Sequence, residues 1–221
     1  MTYIDLALEP ISQEEDLWWI FYLQNNCPWE TYQALLGAFR MRQVHLISEQ
    51  VDTPKHPETF QAVLRDERCD VHVEILSPGD SSRLYLGVNA AKMLPPEALS
   101  ARLNADIFLE YGKLCYHILK PLYAFAETLN TFIDEEAVKQ HQLTHVCWAQ
   151  FFGPNFVQGV GQERFMRAPA WRNENLENGG LLYVLAASPC LYQGAGQYWQ
   201  QARDYFAHFI PTSLTWSDRM C

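Results

Sequence analysis

His141 and His145 stand four residues apart, a spacing that on a helix would bring two imidazoles to one face as a zinc pair. The glutamate of an HExxH site is missing, because Gln142, Leu143 and Thr144 lie between them, so they read as loop histidines. Cys115 and His117 are two apart in a helical stretch; they point in different directions and cannot serve each other as nucleophile and base. The six cysteines, Cys27, Cys69, Cys115, Cys147, Cys190 and Cys221, include no CxxC pair, and reduced thiols are expected. His72 and Glu74 share one face of a strand, as solvated polar groups commonly do. The glycines of FFGPNFVQGVG, residues 151–161, have neither the GxGxxG order nor the Lys-Ser/Thr of a phosphate loop, although Arg164 and Arg167 follow. That stretch is expected to turn the chain. The pattern calls for no catalytic set, no metal and no cofactor.

Charge is more informative. The chain carries a net charge of -10, and residues 1–110 hold 17 acidic against 8 basic side chains, compared with 9 against 8 in residues 111–221. Nothing basic precedes Arg40, while Asp5, Glu9, Glu14, Glu15, Asp16 and Glu30 accumulate among Tyr3, Trp18, Trp19, Phe21, Tyr22, Trp29, Tyr32 and Phe39. Such a surface repels phosphate backbones, which argues against direct nucleic-acid binding and for a basic protein partner. No apolar run reaches the roughly 20 residues that cross a bilayer, and the opening MTYIDLALEP is acidic where a signal peptide would be basic. A cytosolic protein without membrane contact is the expectation.

The elements that would position these groups follow from periodicity. Residues 2–10 alternate as a strand, and 12–26 open like a helix, with Ser12 as cap and Glu15 three residues on. The cluster Trp18, Trp19, Phe21, Tyr22 is too aromatic for one helical stripe, which leaves a strand there as the alternative. Residues 29–40 predict a helix, 41–48 a strand, 50–60 a loop, and 69–88 a hairpin turning at Ser77-Pro78-Gly79-Asp80. Residues 94–130 read as mostly helical, kinked or divided at Pro121. After them come a strand at 144–153, a short helix at 155–169, a hairpin at 171–189 around Asn178-Gly179-Gly180, and a closing amphipathic helix at 194–210. This order predicts an α+β fold, mainly antiparallel sheet in two strand clusters packed with helices. One domain spanning 1–221 is expected; if it divides into lobes, they are 1–130 and 143–221.

Residues 148–189, WAQFFGPNFVQGVGQERFMRAPAWRNENLENGGLLYVLAASP, run strand, Phe-Gly-Pro, short amphipathic helix, Ala-Pro-Ala-Trp, Gly-Gly turn, apolar strand, Ser-Pro. In that order the segment resembles bacterial immunity proteins of polymorphic toxin systems, in particular immunity protein family fifty-two and the related type VI immunity family. The resemblance implies an α+β protein of the cytosol that binds and occludes a cognate toxin domain, often a nuclease. A nuclease presents a basic groove, so an acidic aromatic surface could plug it by mimicking phosphate charge. The candidate contact set is Glu14, Glu15, Asp16, Trp18, Trp19, Trp29 and Glu30. Two alternatives stay open: a scaffold that forms homo-oligomers through exposed aromatics, and an enzyme joining Cys147 or Cys115 to a distant histidine.

Overall fold

A computed structural model describes residues 16–25, 27–51, 59–66, 71–77, 82–89, 99–128, 135–143, 145–187 and 196–208. In chain order the elements are β1 (Asp16–Tyr22), α1 (Trp29–Arg40), β2 (Val44–Val51), β3 (Phe60–Asp66), β4 (Val71–Ser77), β5 (Arg83–Asn89), α2 (Leu99–Leu119) and β6 (Tyr123–Thr128), followed by α3 (Glu135–Lys139), β7 (Ala149–Phe152), α4 (Pro154–Val160), α5 (Gln162–Arg167), β8 (Arg172–Asn175), β9 (Leu181–Val184) and α6 (Gly196–Ala207). The fold is α+β. Its described strands join in one nine-stranded sheet of order β2-β3-β4-β5-β1-β6-β7-β9-β8, and every neighbouring pair among them is antiparallel. The two strand clusters meet at β1, which pairs β5 on one side and β6 on the other.

The expected helix at 12–26 is corrected here, because its described part is β1. Leu17, Trp19 and Phe21 alternate with Trp18, Ile20 and Tyr22, and all six are buried. A central strand covered on both faces reads as an unbroken apolar run, which hides its period of two. The capping pair Ser12 and Glu15, and the strand expected at 2–10, lie outside the described residues. Two further strands were hidden. Phe60 closes the expected loop yet begins β3, where burial alternates strictly at Phe60, Ala62, Leu64 and Asp66. Pro121 divides the long helical stretch, and its far side is β6.

Register sorts the side chains onto two faces. On one, Trp19 aligns with Leu86 and Ala126, and α2 lies over them: the Trp19 indole Nε1 donates to the Phe108 carbonyl at 3.0 Å. Helix α1 packs beside α2, with Phe39 edge-on to Tyr111 at 5.3 Å. The Tyr111 hydroxyl donates to Asp66, a fully buried carboxyl at the end of β3. On the other face, α4, α5 and α6 cover the β6–β9 half through Phe156, Phe165 and Phe206, which contact Tyr123, Phe152 and Tyr183. One contiguous buried cluster runs from Leu17 to Phe206 and joins both halves of the chain.

Candidate partner-binding surface

Each side chain of the acidic aromatic set has a definite place where it is described. Glu14 and Glu15 lie outside the described residues, and Asp16 opens β1 opposite Asn89. Trp19 is fully buried, 4.8 Å from the Phe151 ring and 5.8 Å from that of Phe108. Trp18 is 6% exposed and lies over Gly87 on the opposite face, where an added Cβ would come within 2.5 Å of the ring. Both belong to the core, so neither is available to anchor a partner, which corrects their place in the set. The reason is the strand itself: alternation sends one indole to each side of a sheet covered on both.

Trp29 and Glu30 open α1. Trp29 is half-buried, 5.2 Å from Tyr32 and 6.1 Å from Phe60, while Glu30 is exposed in the first helical turn. The N-cap is Pro28, which offers no side-chain cap, so Glu30 is the acidic group facing the positive end of the helix dipole. Among the described residues the exposed large apolar side chains lie elsewhere: Met41 and Ile47 around the start of β2, and Met166 (42%) and Trp171 (49%) beside β8. The sequence offered a signal for Trp171 in Ala-Pro-Ala-Trp, a chain break just before a polar strand, but a Trp beside an exposed strand and a Trp in the core carry the same letter.

Cys27 and Cys115 lie near each other in the core. Burial pushes the Cys27 thiol up to about 12. Burial first, and then the nearness of Cys27, pushes Cys115 higher still. Both therefore stay protonated and weakly nucleophilic. Cys147 is also buried, and His117 is exposed on α2 while Cys115 faces inward. His141 and His145 lie beyond the end of α3 at Lys139, so the helical zinc face does not form. His141 takes φ 56° and meets the Phe156 ring edge-on, whereas burial lowers the His145 pKa. Among the described residues no group of three or more His, Cys, Asp or Glu could hold a metal ion. Register sets His72 opposite Arg65 and Glu74 opposite Val63.

Residues 151–161 form a corner. Gly153 ends β7 and caps α4, and its N–H donates to the Leu122 carbonyl at 3.0 Å. A Cβ there would sit 2.8 Å from the carbonyl oxygens of Pro121 and Leu122, which is why the position requires glycine. Gly161, at φ 101°, separates α4 from α5, so the single helix expected at 155–169 is two short ones. A cavity of about 270 Å³ opens between the start of α1 and the end of α2, lined in part by Leu23, Cys27, Thr31, Ile118 and Lys120. Its thiol is the protonated Cys27, and among the described lining residues Lys120 is the charged one. No described helix is long and apolar enough to cross a membrane. No family model, curated protein or solved structure matches the chain.

Proposed function

We propose that this chain is an immunity protein that binds a cognate bacterial toxin domain of the nuclease class in the cytosol and blocks it by stoichiometric occlusion, without catalysis of its own. The observation that carries this reading is the segment 148–189. It folds as β7, α4, α5, β8 and β9, a strand, helix and hairpin order in which the one short helix of the quoted pattern is divided at Gly161, and it presents Trp171 and Met166 to solvent. The acidic excess of residues 1–110 supports a basic partner. On this reading the contact surface is the start of α1, Trp29 with Glu30, to which Glu14, Glu15 and Asp16 are added on sequence alone. The high pKa of Cys27 and Cys115 weakens the rival reading of a thiol enzyme at those positions.

The test is affinity capture with the tagged chain from its native host, washed at low and then high salt, followed by mass spectrometry and a growth assay. A stoichiometric basic partner that is released by salt, and whose toxicity to cells this chain relieves, supports the reading. A captured partner whose toxicity is unaffected overturns it.

A further inference from the structure

Three rings meet at the start of α1. Trp29 lies 5.2 Å from Tyr32, Tyr32 lies 4.0 Å from Phe60 of β3, and Phe60 and the indole meet edge-on at 6.1 Å. Tyr32 and Phe60 are fully buried, whereas Trp29 is only half-buried, so two core rings hold a third that keeps part of its surface in solvent. An indole fixed in this way loses little freedom when a partner group lies on it.

Two carboxylates flank that indole. At 3.6 residues per turn, Tyr32 projects about 60° to one side of Trp29 and Glu30 about 100° to the other. On the Tyr32 side stands Glu49 of β2. Register sets Val51 opposite Phe60 and Glu49 opposite Ala62, which puts Glu49 on the sheet face that Trp29 and Tyr32 cover. Burial first, then the charge of Glu49 and a hydrogen bond to it, push the Tyr32 pKa up, so this carboxylate lies beside the Tyr32 hydroxyl. Glu30 and Glu49 are both exposed, and neither forms an ion pair with a described residue.

A rigid indole with an unpaired anion to either side selects among cations. An ammonium group is a compact, strongly hydrated point charge. A guanidinium is flat and less hydrated, stacks on an aromatic face, and carries donors along more than one edge. We propose that the occupant of this surface is an arginine side chain of the protein partner, with its guanidinium stacked on Trp29 and its N–H groups donating to Glu30 and Glu49. The assignment rests on the start of α1 being the contact surface. It adds Glu49, which the fold brings there from β2, and it names the group that the partner presents.

Nuclear magnetic resonance titration of the intact chain tests it, with the blocked tripeptides Gly-Arg-Gly, Gly-Lys-Gly and Gly-citrulline-Gly as probes. Citrulline keeps the planar shape of arginine and removes the charge. The arginine peptide should shift the Trp29 indole N–H and the amides of Glu30 and Glu49 saturably, and citrulline should leave them in place. The lysine peptide should bind more weakly by about 2- to 5-fold. Glu30→Gln and Glu49→Gln should each weaken arginine binding by about 2- to 5-fold. Both should fold, because the charges are exposed and glutamine at 49 keeps an acceptor for Tyr32. A chain that gives no arginine response, or responds equally to citrulline, overturns the proposal. So do shifts that are undiminished when both glutamates are replaced. The comparison of peptides on the wild-type chain needs no substitution, and it decides the matter if a variant misfolds. No toxin enters the experiment: a chain that takes arginine but relieves no toxicity loses only the immunity reading, and one that relieves toxicity but ignores arginine loses only this inference.

Discussion

Gly112 of α2 lies so close to the indole of Trp19 on β1 that a Cβ added to the glycine would stand 2.5 Å from the ring. Helix and sheet are packed at this point with no room for a methyl group. Gly112→Ala should raise helix propensity by about 1 kcal/mol, yet the overpacking it forces costs about 1–3 kcal/mol. The clash is with the ring's fused edge, held by the bond from Nε1 to Phe108, so the indole cannot swing away cheaply. A net loss of stability is expected in urea denaturation; a more stable variant would mean that α2 can lift from the sheet.

The same buried contacts show what the sequence made legible. Helix α1 was readable to the residue because its apolar positions Tyr32, Leu35, Leu36 and Phe39 leave a polar face in solvent. The β8–β9 hairpin announced itself through its Gly-Gly turn, and Gly153 through its neighbour Pro154. β1 and β6 were not readable, because both are central and covered on both faces, and periodicity needs a wet side to show itself. That error passed directly into the candidate surface. With residues 12–26 read as a helix, Trp18 and Trp19 adjoin the acidic first turn, whereas in a strand they leave it for the core. Exposure of Trp171 depends on being next to the end of the sheet, which is a property of strand order and not of local sequence.

The hydroxyl of Tyr111 donates to a carboxyl oxygen of fully buried Asp66 and so ties α2 to the end of β3. Tyr111→Phe keeps the ring against Phe39 and removes only this donor. Leaving a buried carboxyl oxygen short of a hydrogen bond costs about 1–3 kcal/mol. Thermal unfolding should show the loss, and an unchanged melting temperature would mean that another donor or a water takes over.

Burial holds Cys27 and Cys115 in the thiol form. With its pKa near 12, Cys27 should react with iodoacetamide at pH 8 more slowly than a free thiol by roughly a thousandfold. Cys115 should be labelled only after unfolding. Peptide mass spectrometry of the native chain checks both, and rapid labelling of Cys115 would revive the thiol-enzyme reading.

Among the described residues, two groups with lowered pKa act on the acid side of the stability profile. Burial lowers His145 below its ordinary 6.5, so the unfolded chain takes up the proton first. Its contribution is complete above 6.5 and is lost as pH falls from there through the folded value. Glu174 is pushed up by burial, but the hydrogen bond and charge of Lys113 and the charge of Arg172 outweigh this and hold it below its ordinary 4.5. Its contribution is present above 4.5 and disappears as pH falls through its folded value. Urea midpoints should therefore drop as pH falls below 6.5, and drop further as it falls below 4.5. His145→Gln should remove the upper step and Glu174→Gln the lower, and a profile unchanged by either substitution would contradict the assignment.

The proposed contact surface separates from the core by the same measurements. Glu30→Lys changes an exposed charge, so the fold should persist while association with a basic partner slows and loses salt dependence, with affinity down by roughly 2- to 10-fold. Trp29→Ala removes a half-buried ring from beside Phe60 and Tyr32 and should cost some stability as well as affinity. Trp19→Ala empties a fully buried site and should destabilise the chain by about 3–5 kcal/mol. Calorimetric titration against the captured partner, with circular dichroism on each variant, distinguishes the cases. A well-folded Glu30→Lys variant with unchanged affinity and salt dependence would exclude the start of α1 from the interface.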